Sequence, residues 1–177
     1  TILLLDIKNK IVKPFVSGHG LILKLDSLGK YGLLFSVDPN SQQPKLSLIN
    51  KDALVLAEIP NITLPEKCVF AKNRPFLYCS IFINPTFEGV WPDSYYMGLN
   101  PFDEMIYEIN LETLEAKLLN NNTCRVSNIN ISNDDGFLFF FDDKTQTLYS
   151  LSLPSQVAPN SMPITITPSI SPMSIPN

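Results

Sequence analysis

Ile106-Tyr107-Glu108-Ile109-Asn110 is one of four similar runs in this chain. The others are Ile2-Leu3-Leu4-Leu5-Asp6, Leu46-Ser47-Leu48-Ile49-Asn50 and Leu148-Tyr149-Ser150-Leu151-Ser152. Each is a short stretch of strand-favouring residues closed by a small polar residue. Aligned on Leu5, Ile49, Ile109 and Leu151, they are offset by 44, 60 and 42 residues. A second set, Gly32-Leu33-Leu34-Phe35, Pro75-Phe76-Leu77-Tyr78 and Gly136-Phe137-Leu138-Phe139, recurs at offsets of 43 and 61. Both series describe a unit of about 43 residues, with an insertion of about 18 in the middle copy.

A period in the low forties with four short strands per unit fits a β-propeller blade. Neighbouring blades cover both faces of such a sheet, so its strands are apolar on both sides. Phe137-Leu138-Phe139-Phe140-Phe141 reads well in that setting and badly as a strand with one wet face. The expected fold is therefore all-β: a partial propeller with about three and a quarter four-stranded antiparallel blades, then a Pro-rich tail. Counting strands from the centre outward, residues 1–16 supply a third and a fourth strand, and 18–59 a full blade. Residues 67–119 make a full blade with the insertion, and 125–153 give three strands. The fourth strand of the last blade is missing, so the parent chain is expected to extend upstream and supply it. A small four-bladed propeller made by this chain alone, an open stack of β-meanders and a sandwich fit the same spacing.

Composition bounds the partners. There are 177 residues, 13 Lys+Arg against 17 Asp+Glu, a formal charge of −4, and two arginines, Arg74 and Arg125. No basic stripe exists for nucleic acid, and no apolar run approaches the roughly 18 residues of a membrane span. From Pro154 to Asn177 the character changes. Six of these 24 residues are proline and none is charged. Residues 1–153 are thus expected to form the blades, and 154–177 an extended or disordered spacer. The rival for the tail is an edge-docking strand at Ile164-Thr165-Ile166-Thr167.

Cys68-Val69-Phe70, Leu77-Tyr78-Cys79, Pro92-Asp93-Ser94-Tyr95-Tyr96-Met97-Gly98 and Ile106-Tyr107-Glu108-Ile109-Asn110 with Glu112-Thr113 carry a resemblance. Asn133-Asp134-Asp135-Gly136-Phe137-Leu138-Phe139-Phe140 adds the blade turn that follows. Together they resemble uncharacterised propeller proteins of candidate-phylum bacteria, distantly similar to TolB-type and WD-repeat-like propellers. The likeness covers about half the chain, and its most specific part is the Pro-Asp-x-x-Tyr-x-Gly insert. It implies the propeller fold and a cell-envelope location, with a membrane anchor upstream. It brings no activity.

The insertion, Asn84 to Asp103, holds Phe87, Trp91, Tyr95, Tyr96 and Phe102 among Glu88, Asp93 and Asp103. It joins a second strand to a third. Antiparallel order puts it on the same rim as Ser17 to Gly20, Asp38 to Pro44, Pro60 to Glu66 and Asn120 to Thr123. Long loops on a rigid scaffold carry binding surfaces, and aromatics mixed with carboxylates suit sugar rings or a protein's side chains. Trp91, Asp93, Tyr95, Tyr96 and Phe102 are the candidate ligand residues, with the lone His19 between two glycines near the channel mouth. The competing reading is that Trp91 and Tyr95 cap the blade core.

His19 has no Cys/His companions for a metal, and no nucleophile elbow or phosphate loop is present. No cofactor is expected. Asp134-Asp135 and Asp142-Asp143 flank one strand about 20 Å apart, too far to act together as a glycosidase pair. They read as turn residues. If residues 68–79 form a hairpin turning at Lys72 to Pro75, residue i faces 147−i, and Cys68 faces Cys79. A cross-strand disulfide and two buried thiols both fit, with Cys124 left over. Three sequons, at Asn61, Asn121 and Asn130, add nothing without a secretory context.

The expected function is a non-enzymatic binding module of the bacterial envelope that recognises a protein or glycan through the insertion-bearing face. Two alternatives stand beside it. One is a propeller hydrolase or lyase acting on an envelope polymer, its site completed by upstream blades. The other is a structural spacer.

Overall fold

A computed structural model describes residues 1–87, 89–99, 102–154 and the backbone of 171–173. The chain is all-β, with four antiparallel sheets of two to four strands. It divides into two compact units: residues 1–65 with 81–103, and residues 66–80 with 104 onward.

The first unit contains a two-stranded sheet of β1 (Ile2–Asp6) and β2 (Ile11–Val16). A four-stranded meander follows, β3 (His19–Leu25), β4 (Tyr31–Val37), β5 (Pro44–Asn50) and β6 (Val55–Ile59), in spatial order 3-4-5-6. Leu33, Phe35, Leu46, Leu48 and Ile49 are buried, so the central strands are apolar on both faces.

The second unit holds two more meanders. β7 (Cys68–Phe70), β8 (Phe76–Phe82), β9 (Glu104–Asn110) and β10 (Ala116–Leu118) form one, β8 running on into the first unit at Ile81 and Phe82. The other is β11 (Val126–Ile131), β12 (Phe137–Asp142), β13 (Thr147–Ser152) and β14 (Ser171–Met173). A core of Tyr78, Ile106, Val126, Ile131, Leu138, Phe140 and Leu151 joins these sheets. Strands β1, β5, β9 and β13 lie on the four similar runs of the sequence.

Local chemistry closes three of these strands. The small polar residue at the end of β1, β5 and β9 turns the chain into the next strand. Asp6 Oδ1 accepts the Asn9 amide at 3.0 Å, Asn50 Oδ1 that of Asp52 at 2.9 Å, and Asn110 Oδ1 that of Glu112 at 2.8 Å. Each turn ends on a residue with positive φ: Lys10 (56°), Ala53 (62°) and Leu114 (60°). Asp38 and Asp142 do the same after β4 and at the end of β12. They accept the Asn40 amide at 2.9 Å and the Lys144 amide at 3.0 Å. β8 continues past Ile81 to the insertion.

One expectation is corrected. The last sheet does have a fourth strand, drawn from the tail: Ser171–Met173 pairs with β13, Met173 opposite Leu148. Proline density argued against a strand there, but an edge strand tolerates proline because one row of its amides makes no ladder bonds. The remainder of the proposed spacer, 155–170 and 174–177, including the alternative strand at Ile164–Thr167, lies outside the described residues.

Candidate functional site

The insertion leaves β8 after Phe82 and packs its own aromatics together. Trp91 is 3% exposed and sits at the centre. Ring centroids of Phe87, Phe102, Tyr95, Phe82 and Phe35 lie 5.1, 5.9, 5.9, 6.2 and 6.4 Å from it. Phe82 also meets Phe102 at 5.1 Å and Tyr95 at 5.5 Å. Such a cluster adds specific ring contacts to the area it buries. The Trp91–Pro92 peptide is cis. β3 approaches it closely: a Cβ added to Gly20 would lie 2.9 Å from the Trp91 carbonyl oxygen and 2.7 Å from Val37 Cγ2. Gly20 has φ +58°, so glycine serves there both for the backbone angle and for the space.

After Pro92 the chain makes one helical turn, α1 (Asp93–Tyr96), closed by Gly98 at φ +72°. The Met97 amide bonds the Asp93 carbonyl, and the Leu99 amide that of Ser94. Around this turn Val90 (67% exposed), Tyr96 (54%), Met97 (66%) and Leu99 (66%) are exposed within ten residues. Trp91 Nε1 and Ser94 Oγ are buried and have no hydrogen-bond partner among the described residues.

The sequence candidates therefore separate. Trp91 and Phe102 are interior, and their rings are committed to the cluster. Tyr95 is half-buried against Phe82 and Trp91. Tyr96 and Asp93 are exposed, and His19 is exposed at the start of β3 beside Gly20. Glu88 lies outside the described residues. Val90, Met97 and Leu99 escaped the sequence reading, which weighted aromatics and charges. Exposed aliphatics inside a loop carry no signal until the side chains facing inward are known.

The cysteine register holds as drawn. Cys68 and Cys79 are opposite each other with Cα atoms 4.1 Å apart, and they form a disulfide. The Ala71 amide bonds the Phe76 carbonyl three positions along, so alternation makes the cysteine pair non-hydrogen-bonded, the closer kind. Cys124 is free and buried; burial pushes its thiol up to about 12.

Two buried polar networks link the sheets of the second unit, and neither was legible beforehand. In one, Lys67 Nζ donates to Glu104 Oε1 and to the Val126 carbonyl, both at 2.7 Å. Ser80 Oγ and the Val126 amide donate to Glu104 Oε2 at 2.7 and 3.0 Å. Burial raises the Glu104 carboxyl above its ordinary range, opposed by the Lys67 charge. In the other, Arg74 Nη2 donates to Tyr78 Oη, which donates to Glu108 Oε2, each at 2.9 Å. Burial, reinforced by Glu108, raises the Tyr78 phenol. Asp135 accepts the Lys72 and Asn73 amides of the adjacent sheet's hairpin at 2.8 Å each. The acidic pairs otherwise serve turns: Ser132 Oγ and the Gly136 amide donate to Asp134, and the Arg125 amide to Asp142.

Among the described residues no three His, Cys, Asp or Glu side chains group as a metal site, and no helix is long and apolar enough to cross a membrane. Fold and geometry define an antiparallel-β protein with an aromatic-cored insertion between β8 and β9. No model of a known protein family matches this chain, and neither does any curated protein.

Proposed function

We propose that the chain is a non-enzymatic binding module, its sheets being blades of a larger β-propeller, and that it recognises a protein through the knob formed by the insertion. The observation that carries this is the outward set Val90, Tyr96, Met97 and Leu99, held over the buried Trp91 cluster. Exposed apolar side chains on an internally packed support are a common form of protein contact, because little ordering cost remains to be met on binding. Exposed Tyr96 beside Asp93 favours a glycan as the second reading, a ring to stack on and a carboxylate to accept hydroxyls. The disulfide supports a location outside a reducing cytosol, in keeping with the envelope setting that the resemblance implies. An enzyme whose site is completed elsewhere is the rival, and turnover of an envelope polymer by the full-length protein would establish it.

The test is retention of partners from solubilised envelope fractions by wild-type protein and by a Tyr96→Ala/Met97→Ala/Leu99→Ser variant. The expected result is loss of the bound species with little change in melting temperature, since Met97 and Leu99 are exposed and Tyr96, whose ring meets Tyr95 at 5.7 Å, is half exposed. Identical captured sets would overturn the proposal. Trp91→Ala serves as the contrast, expected to lower stability by about 3–5 kcal/mol.

A further inference from the structure

The insertion differs from the rest of the chain in charge as well as in exposure. Between Asn84 and Asp103 there are three acidic residues, Glu88, Asp93 and Asp103, and no Lys, Arg or His. Over the remaining residues 13 Lys+Arg stand against 14 Asp+Glu (17 less these three), which is near balance. The insertion lies inside the longest stretch of the chain that lacks a basic residue, Pro75 to Ala116. The segment carrying exposed Val90, Tyr96, Met97 and Leu99 is therefore also the one with uncompensated negative charge.

The fold puts that charge beside the apolar side chains. Asp93 is exposed and opens α1, and the Met97 amide bonds its carbonyl at 2.9 Å. Residues three and four apart in such a turn are neighbours on one face, so the Asp93 carboxylate shares a face with Tyr96 and Met97. Asp103 is exposed at the other end of the insertion, where the Ile83 amide bonds its carbonyl at 2.9 Å and draws the two ends together. An apolar patch edged by carboxylates is the complement of a surface that mixes apolar side chains with cations.

We infer that the partner of the knob is a basic segment of another protein, with apolar side chains that cover Tyr96, Met97 and Leu99 and a Lys or Arg that meets Asp93. This rests on the reading of the knob as a protein-binding surface and adds the chemistry of what it binds. Apolar burial supplies most of the affinity, while the charges steer the encounter and fix its orientation. A second copy of this chain is opposed by its net charge of −4 and by the same carboxylates facing each other. The chain's own segment from Pro154 to Asn177 carries no charge and offers Asp93 no partner.

Fluorescence anisotropy on the full 177-residue chain tests this with two labelled peptides of equal length and leucine content. One carries Lys at its polar positions and the other Glu. The Lys peptide is expected to bind, more weakly as salt rises, and the Glu peptide is not. Asp93→Lys is expected to weaken the Lys peptide about threefold or more, as when an exposed ion pair becomes a like-charge contact, and to admit the Glu peptide. Asp93→Asn, which removes the charge alone, is expected to act in the same direction. Asp52→Lys makes the same change of net charge in the exposed turn after β5, at the far end of its sheet from Gly20 and Val37, and is expected to bind as wild type does. A wild type that ignores the Lys peptide, equal binding of the two peptides, or equal effects of Asp93→Lys and Asp52→Lys would overturn the inference. The capture experiment judges the knob separately. Species lost with Tyr96→Ala/Met97→Ala/Leu99→Ser yet retained by Asp93→Lys would leave the protein-binding reading in place and remove this one.

Discussion

Replacing Lys67 by Met probes the buried charge at the heart of the second unit. The substitution removes the ammonium that donates at 2.7 Å both to Glu104 and to the Val126 carbonyl. Ser80 Oγ and the Val126 amide still donate to a carboxylate that has no exposure. Leaving one member of a buried ion pair without the other costs about 3–5 kcal/mol. The loss is also expected to depend on pH. Burial already raises the Glu104 carboxyl, and without the opposing Lys67 charge it rises further. With a higher value in the folded state, the unfolded chain releases this proton first as pH climbs. Stability is then full below the unfolded value and is lost as pH rises through the folded one. Lys67→Met should therefore be most destabilising near pH 8 and less so towards pH 5. Adding Glu104→Gln, which keeps an acceptor for Ser80 and Val126 but carries no charge, should recover part of the loss and flatten its pH dependence. Urea unfolding followed by far-UV circular dichroism at both pH values reads this directly. A loss below about 1 kcal/mol, or an equal loss at pH 5 and pH 8, refutes the reasoning.

The Cys68–Cys79 bridge closes a loop with a sequence separation of 11, for which loop-closure entropy gives about 3 kcal/mol, so reductant should lower the melting temperature on the order of 10 °C. Alkylation at pH 8 followed by intact mass should add no label to the native protein, one (at Cys124) on unfolding, and three after reduction; three labels without reductant would exclude the bridge. Gly20→Ala should destabilise by about 2 kcal/mol or more and shift Trp91 emission to the red, because its methyl meets the Trp91 carbonyl at positive φ. Unchanged emission would mean that the knob is not seated on β3. The Asn9 amide at Asp6, the Ser41 amide at Asp38 and the Ser132 hydroxyl at Asp134 hold these carboxyls below the ordinary 3.8. Their contribution to stability is thus present above that value and lost as pH falls below it, and carboxyl NMR titrations should find all three depressed.

The strands and their turns were legible because their signals are local. A strand of apolar residues ending in Asp6, Asn50 or Asn110 carries its turn within itself, and counting between such strands yields the sheets. The cysteine register followed from hairpin arithmetic alone. What escaped is what depends on partners distant along the chain. Lys67 and Glu104 are 37 positions apart, and Lys67 reaches Val126 across 59. Nothing in either neighbourhood marks these charges as interior. The insertion shows the same limit: its aromatics were visible as a group, but which rings face inward depends on Phe35, Phe82 and the bare backbone at Gly20. The positive-φ turn positions were equally hidden, because Lys10, Ala53 and Leu114 stand where glycine would have announced them.

The two units are interleaved along the chain. The first is left at residue 65 and resumed at 81, and the second is begun at 66 and resumed at 104. No single cut separates them. A product ending at residue 65 keeps Phe35 but lacks every other ring of the Trp91 cluster, and one ending at 103 carries the Cys68–Cys79 hairpin without β9, the other strand that pairs with β8. Emerging from a ribosome, the first unit cannot close until the second has been started, so the opening hairpin of the second unit is held unfinished in the interim. Dissecting this protein by serial truncation would therefore damage both halves at once, and a property lost with a fragment would not be located in either half.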